Sequence, residues 1–452
     1  MPHRTVAALS ILAILLPATL LSFGVAAADK PVTLEARLAQ PVMKTGETQK
    51  NYLRVALNGC EPKRSNDRTP VNVAFVIDRS GSMAGARIAQ AREAAIMAVN
   101  RLDQNDIASV VIFDDKVDVL IPSQPVNDRA MFADRIRQVS TRGSTAIHDG
   151  VMEGAREVRK SKDARRLNRV VLLSDGQANV GPRNPADFAR LGHELLSEGI
   201  SVSTIGLGLG YNEDLMLQLA RASDGNHAFA NAPNDLIQIF NREFDDVLAA
   251  CAQTVSIDVE VGAGVKLTRA LSREGDVQGD RAAFKMNQVY AATEHYVLLE
   301  LEVEGGATPA DERDLGRVHV SYTVPDTGAR EVIEAPIRGR FSASADEVKN
   351  TRDQTVMVAV VEQTARERAQ EAVRLRDQGK HTEAAKLFQQ NVEEIQTVQG
   401  TFAAPSKVLD GLQRQYDSFA KTAPAAPASQ LMMERKVLRQ MDSGSNTGGS
   451  RF

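Results

Sequence analysis

The segment Asp78-Arg79-Ser80-Gly81-Ser82 places one carboxylate and two hydroxyls within five residues. It follows directly on Val71-Asn72-Val73-Ala74-Phe75-Val76-Ile77, a near-continuous apolar run. Such a run predicts a central strand covered on both faces. Asp78, Ser80 and Ser82 alternate, so a tight turn can direct them at one point above the sheet. Hard oxygen ligands of this kind suit Mg²⁺ or Ca²⁺ rather than zinc. Two further segments offer matching groups. Gly143-Ser144-Thr145-Ala146-Ile147 reads as a turn feeding a helix, and the apolar run Val170-Val171-Leu172-Leu173 ends in Ser174-Asp175-Gly176. In an open α/β sheet, ligands bind beyond the C-terminal ends of the strands, where these groups should gather. Taken singly, each of these residues is an ordinary cap or turn residue. Their joint order makes a cation site the expectation.

In these residues the chain resembles the von Willebrand factor type A family over about residues 70–250, and its metal-ion-dependent adhesion site matches at Asp78, Ser80, Ser82, Thr145 and Asp175. The resemblance implies that the three hydroxyls bind a divalent cation directly and that the two carboxylates hold it directly or through water. Mg²⁺ is the first expectation, with Ca²⁺ or Mn²⁺ as alternatives. It further implies that an exposed Asp or Glu of a protein partner completes the shell. Two departures stand out. Gly143-Ser144 replaces a frequent glycine pair, and Met83-Ala84-Gly85 stands where an integrin-type acidic pair would support an adjacent second metal. No second metal site is therefore expected.

The elements that position these groups follow from the periodicity. From 71 to 250 strands and helices alternate, which predicts a doubly wound, mostly parallel sheet. Strands are expected at 71–78, 107–113, 168–174, 200–206 and 226–229, and helices at 86–101, 128–139, 147–160, 186–198, 212–221 and 233–250. Beyond Cys251 the period changes to two, as in Val255–Val261, Tyr296–Val303 and Arg317–Tyr322, which predicts a β-sandwich. Val32–Leu38 and Tyr52–Leu57 alternate as well and are expected to join that sandwich, making the α/β unit an insertion in it; a sandwich that only follows the α/β unit is the alternative. The expected organisation is 29–65 as N-terminal strands, 66–251 as the α/β domain, 252–345 as the sandwich and 346–420 as a helical region built on a hairpin broken at Gly379-Lys380-His381. Residues 421–452 are expected to be an Ala/Pro-rich linker and a disordered Ser/Gly-rich tail.

At the N-terminus, His3 and Arg4 precede an apolar stretch from Val6 to Leu21, and Ala26-Ala27-Ala28 offers a small-residue cleavage site. Residues 1–28 are thus expected to be a signal peptide, leaving a secreted, periplasmic or cell-surface-associated chain; retention of residues 5–23 as an anchor is the alternative. No later stretch is apolar enough to span a bilayer. The only cysteines, Cys60 and Cys251, fall in the exported part, where disulfides persist. In the family it resembles, the domain's two ends lie close together, which implies a Cys60–Cys251 bridge at its base, with two free thiols as the alternative.

Composition narrows the function. Of 452 residues, 43% are hydrophobic and 25% charged, ordinary values for a globular chain. A net charge of −4 gives no support for nucleic-acid or anionic-membrane binding, and 4% aromatics with no tryptophan argue against a sugar-stacking face. No nucleophile, zinc or phosphate-loop motif appears, and Gly206-Leu207-Gly208-Leu209-Gly210 reads as a strand-to-helix turn. The expectation is a non-enzymatic, metal-dependent protein-binding or adhesion module outside the cytoplasm. An envelope complex-assembly scaffold, with the β-sandwich and helices making the main contacts, is the alternative. A hydrolase would need a general base, for which only His148 is placed.

Overall fold

The computed structural model describes residues 30–61, 68–175, 178–208, 210–231, 235–239, 241, 249–306, 310–422 and 427–443. The expected signal peptide and the last nine residues lie outside them, as does most of the helix expected at 233–250.

The strand carrying Asp78 is β4 (Val71–Asp78), every residue of which is buried. Its side chains alternate between two cores. Val71, Val73, Phe75 and Ile77 face α1 (Ala86–Arg101) and α2 (Arg129–Arg137). Ala74 and Val76 face α3 (Ile147–Lys160), α4 (Pro185–Ser197) and α5 (Glu213–Ala222). A strand sandwiched in this way must be apolar at successive positions, which is why the run at 71–77 is legible. With β5 (Ile107–Phe113), β6 (Val117–Pro125), β7 (Leu167–Ser174), β8 (Ile200–Leu207) and β9 (His227–Ala230) it forms a sheet of order β6-β5-β4-β7-β8-β9. All pairings are parallel except β5–β6, so an unexpected antiparallel edge strand makes the sheet mixed. The site edge of β4 and β5 is fixed by how closely α3 lies on them. A Cβ on Gly150 would stand 2.7 Å from the Phe113 ring, and one on Gly154 would stand 2.4 Å from Val76. Only glycine permits that approach, and it brings the start of α3, next to Thr145, down to the strand ends.

The strands on either side of this unit pair with each other. β1 (Val32–Leu38) and β3 (Gln49–Gly59) join β14 (Glu294–Val303) and β11 (Val265–Ala270) in one sheet. β2 (Val42–Lys44) pairs with the end of β16 (Arg330–Ser342), in a second sheet with β15 (Ala310–Thr323), β10 (Ala250–Val261), β13 (Arg281–Tyr290) and β12 (Asp276–Gln278). The two sheets share one apolar core that includes Val55, Ile257, Phe284, Leu299 and Val320. The α/β unit is thus carried between β3 and β10 of a sandwich. Cys60 and Cys251 are disulfide-bonded at that junction, with Cα atoms 5.8 Å apart. Cys251 is the second residue of β10, which begins at Ala250, the last residue of the helix expected at 233–250. A polar seam joins the two units. The buried Arg169 of β7 donates to Ser203 (3.2 Å), Gln288 (2.9 Å) and Tyr290 (2.6 Å).

The C-terminal region comprises α6 (Ala345–Asn350), α7 (Gln354–Asp377), α8 (His381–Gln399), α9 (Lys407–Thr422) and α10 (Ala428–Ser443). Val356, Ala359 and Val360 of α7 cover Ala56, Tyr296 and Leu298 on the outer face of the β3–β14 sheet. α7, α8 and α9 enclose their own core around Phe388, Tyr416 and Phe419. The expectation of a linker and disordered tail from 421 onward is corrected over 428–443. Past Pro427 the sequence is rich in good helix formers, and α10 is held down by charge. Lys436, 1% exposed, donates to Glu213 (3.0 Å) and lies 3.8 Å from the Tyr211 ring centroid. Arg435 pairs with Glu213, Asp214 and Asp377.

Candidate functional site

The five expected residues lie on three loops at the C-terminal edge of β4 and β7. The loops are stitched together by backbone hydrogen bonds. Gly81 N donates to Gly143 O (3.1 Å) and Arg142 N to Arg79 O (2.8 Å), joining the first loop to the second. Asn179 N donates to Thr145 O (3.1 Å) and Asn179 Oδ1 accepts from Thr145 N (2.7 Å), joining the second to the loop after β7. Beyond Asp78 the chain runs extended into a single 3-10 turn, Gly81–Met83, which turns Ser82 back toward Asp175. Ser80 Oγ and Ser82 Oγ are 3.1 Å apart, and Ser82 Oγ donates to Asp175 Oδ1 at 2.9 Å. Ser80, Ser82 and Asp175 are therefore one hydrogen-bonded row. Thr145 is 3% exposed, and no hydrogen bond of its hydroxyl to another described residue is present.

The electrostatics are uneven. Among the described residues the buried carboxylates are Asp78, Asp106, Asp114, Glu157, Asp175, Glu213, Glu300 and Glu434. Seven have a basic partner: Asp106 has Arg68, Asp114 has Arg79 and Arg142, Glu157 has Lys160, Asp175 has Arg87, Glu213 has Arg435 and Lys436, Glu300 has Lys50 and Glu434 has Arg376. Asp78 has none among the described residues. It accepts from Ser80 N (2.8 Å) and Ser174 Oγ (2.5 Å). Burial pushes its carboxyl up to about 6, against the hydrogen bonds from the Ser174 hydroxyl and from the Ser80 hydroxyl and amide, and with the Asp175 charge adding to the rise. Asp114 shows the contrast. Burial would raise it, but the guanidiniums of Arg142 and Arg79 and the Lys116 amide hold it down at about 2. A buried carboxylate without a cation is costly, and Asp78 stands beside three hydroxyls and a second carboxylate. That donor set and that charge deficit fit a hard divalent cation.

Asp78 is 0% exposed, and of the five only Ser82 is exposed. His148 turns to its neighbour, with Nδ1 3.4 Å from Asp149 Oδ1 and its ring edge-on to Phe188 at 6.0 Å. Among the described residues, no hydrogen bond or ion pair joins it to the five site residues. Sequence reasoning missed Arg87, which pairs with Asp175, and Ser174, which holds Asp78. Ser174 could have been found from its place next to Asp175; Arg87 carries no local signature.

Residues 72–242 match the family model described as von Willebrand factor type A domain. The chain is 25% identical over 300 residues to an uncharacterized protein of Synechocystis, an alignment covering 64% of this chain and 70% of the other. It is 28% identical over 172 residues to inter-alpha-trypsin inhibitor heavy chain H3 of Homo sapiens, covering 36% of this chain but only 19% of that one. Among solved structures, the von Willebrand factor type A protein from Catenulispora acidiphila superposes with a TM-score of 0.70 at 16% identity, over 92% of this chain and 96% of that one. That likeness is one of fold and extends through the sandwich and helices. The segment that carries the candidate site is a von Willebrand factor type A domain.

Proposed function

We propose that the chain is a non-enzymatic binding protein that acts outside the cytoplasm, holds a divalent cation, Mg²⁺ in the first instance, at Asp78, Ser80, Ser82, Thr145 and Asp175, and engages an acidic residue of a protein partner there. Domains of this type generally mediate protein–protein interaction. The observation that carries the metal reading is Asp78, the one buried carboxylate among the described residues without a basic partner. When bound, the ion supplies the missing positive charge and an open coordination position for a carboxylate. The protein's part is to keep that position accessible. Ser82 is exposed, and the backbone stitching fixes the three loops. Two observations support an extracytoplasmic setting: the Cys60–Cys251 disulfide, of a kind that persists in oxidising compartments, and the apolar N-terminal stretch. Among the described residues, no helix is long and apolar enough to cross a membrane.

Two measurements test this. Mg²⁺ should raise the melting temperature of the wild type and leave that of Asp78→Asn unchanged. In EDTA, Asp78→Asn should be at least as stable as wild type, because it removes a buried, unpaired charge while keeping the shape. Partner capture from an extracytoplasmic fraction should be lost in EDTA and return with Mg²⁺. A partner held equally well in EDTA and by Asp78→Asn would instead place the contacts on the sandwich and helices, as in an assembly scaffold.

A further inference from the structure

Arg87 is the second residue of α1, whose first turn contains no acidic residue. A cation there stands against the helix dipole and is disfavoured by it. Its position is explained by what it touches. Nη1 donates to Asp175 Oδ2 and to the backbone oxygen of Ser82 (2.9 Å). The Asp175 side chain is fully buried and that of Arg87 is 43% exposed. Asp175 thus has one oxygen on the Ser82 hydroxyl and the other on a guanidinium. On the far side, a Cβ on Gly208 would lie 3.2 Å from Arg87 Nε, so the β8–α5 loop passes closely over the guanidinium.

We propose that Arg87 is a resident counter-ion of Asp175 that competes with the divalent cation for this carboxylate, and so sets both the affinity and the charge selectivity of the site. The proposal rests on the metal reading above. A second cation on the same carboxylate either repels the guanidinium or dislodges it. Asp175 is held in the protein, whereas Arg87 is long and half-exposed and loses little on turning to water. The exchange therefore moves Arg87 and leaves the carboxylate in place. A monovalent ion offers Asp175 no more charge than Arg87 already does, so it gains little by displacing it. A dication brings one charge more and serves Asp78 as well.

The test is calorimetric titration of the full chain with Mg²⁺ and with Na⁺, for wild type, Arg87→Ala, Arg87→Gln and Arg87→Lys, together with melting temperatures in EDTA and in saturating Mg²⁺. Arg87→Ala and Arg87→Gln should bind Mg²⁺ roughly two- to fivefold more tightly than wild type, the worth of one partly exposed ion pair. They should melt lower than wild type in EDTA and equally in Mg²⁺. Arg87→Lys should stay near wild type, and Na⁺ should compete measurably with Mg²⁺ only in the Ala and Gln variants. Mg²⁺ affinity unchanged or weakened in both neutral variants, with wild type binding normally, overturns the role of Arg87 and leaves the metal reading standing. No Mg²⁺ binding by any of the four proteins overturns both.

Discussion

Lowering the pH from 7 to 4.5 should strip stability from the wild type through His227, and the effect should vanish in His227→Gln. His227 is buried on β9, between α5 and α10. Its Nδ1 is 2.9 Å from Thr204 Oγ1, and its Nε2 is 3.2 Å from the Tyr211 hydroxyl. The Thr204 hydroxyl already donates to Met216 O (3.0 Å), so Nδ1 carries the proton and donates, leaving Nε2 to accept from Tyr211. Burial and the Glu213 charge drive the Tyr211 hydroxyl upward, so it keeps its proton for that bond. Both ring nitrogens are satisfied only in the neutral form. Burial pushes His227 down to about 4; Glu213 and Asp214 resist the fall, while Lys436 and Arg439 reinforce it. In the unfolded chain the imidazole titrates near its ordinary value. Folded stability from this group is therefore present above about pH 6.5 and is lost as pH falls toward 4. Linkage between the two values gives about 2–3 kcal/mol lost at pH 4.5. Asp78 acts in the opposite sense. Its folded value of about 6 means that stability rises by about 2 kcal/mol as it takes up a proton over the same interval. The wild-type curve alone mixes these opposing contributions with those of the paired carboxylates, so the difference between the two proteins is the informative quantity. The assay is urea unfolding in EDTA at closely spaced pH values, with NMR of the imidazole as a direct check. A wild-type-minus-variant difference that stays constant from pH 7 to 4.5, or an imidazole titrating near 6.5 in the folded protein, would refute the reasoning.

Two other outcomes are expected. Replacing both cysteines by serine should lower stability by about 5 kcal/mol in denaturant titration, from chain entropy over a sequence separation of 191 residues. Lys436→Met removes the buried cation that α10 places on Glu213 while keeping the bulk over Tyr211; it should cost about 3 kcal/mol of local stability, seen as faster hydrogen exchange across 428–443 with the sandwich unaffected.

What the sequence made legible is what local physics dictates. β4, β5, β7 and β8 are covered on both faces, so each must be an apolar run. The α/β alternation followed, and with it the edge at which Asp78, Thr145 and Asp175 gather. The shift to a period of two after Cys251 likewise marked the sandwich. The misses have two causes: a weak local pattern for β6, and partners distant in the chain for α10 and Arg169. β6 contains Pro122 and Pro125 and only half-buries its residues, as an edge strand can, so no clean alternation announces it. α10 is preceded by an Ala/Pro-rich stretch. What keeps it in place is Glu213 and Asp214, more than two hundred residues earlier. Arg169 reads as a charge interrupting a strand until β13 is brought against it with Gln288 and Tyr290.

The candidate site shows the same division between ligand identity and charge balance. The identity of the candidate ligands is largely local, because alternation on one turn brings Asp78, Ser80 and Ser82 together. Charge balance is not. Arg79 lies within the Asp78–Ser82 turn, yet it turns away with Arg142 to Asp114 and Asp118, while Arg87 is committed to Asp175. Had Arg79 folded back on Asp78, the same five residues would form a neutralised hydrogen-bonded cluster with no demand for a cation. On the proposed metal reading, the charge deficit at Asp78 depends on residues outside the motif: by holding Arg79 and Arg142, Asp114 at the end of β5 and Asp118 on β6 leave Asp78 buried without a basic partner among the described residues. Replacing both Asp114 and Asp118 by asparagine should free those guanidiniums toward Asp78 and weaken Mg²⁺ binding without touching any of the five proposed ligands. Mg²⁺ affinity that is unchanged in this variant would show that the charge deficit is not what selects the ion.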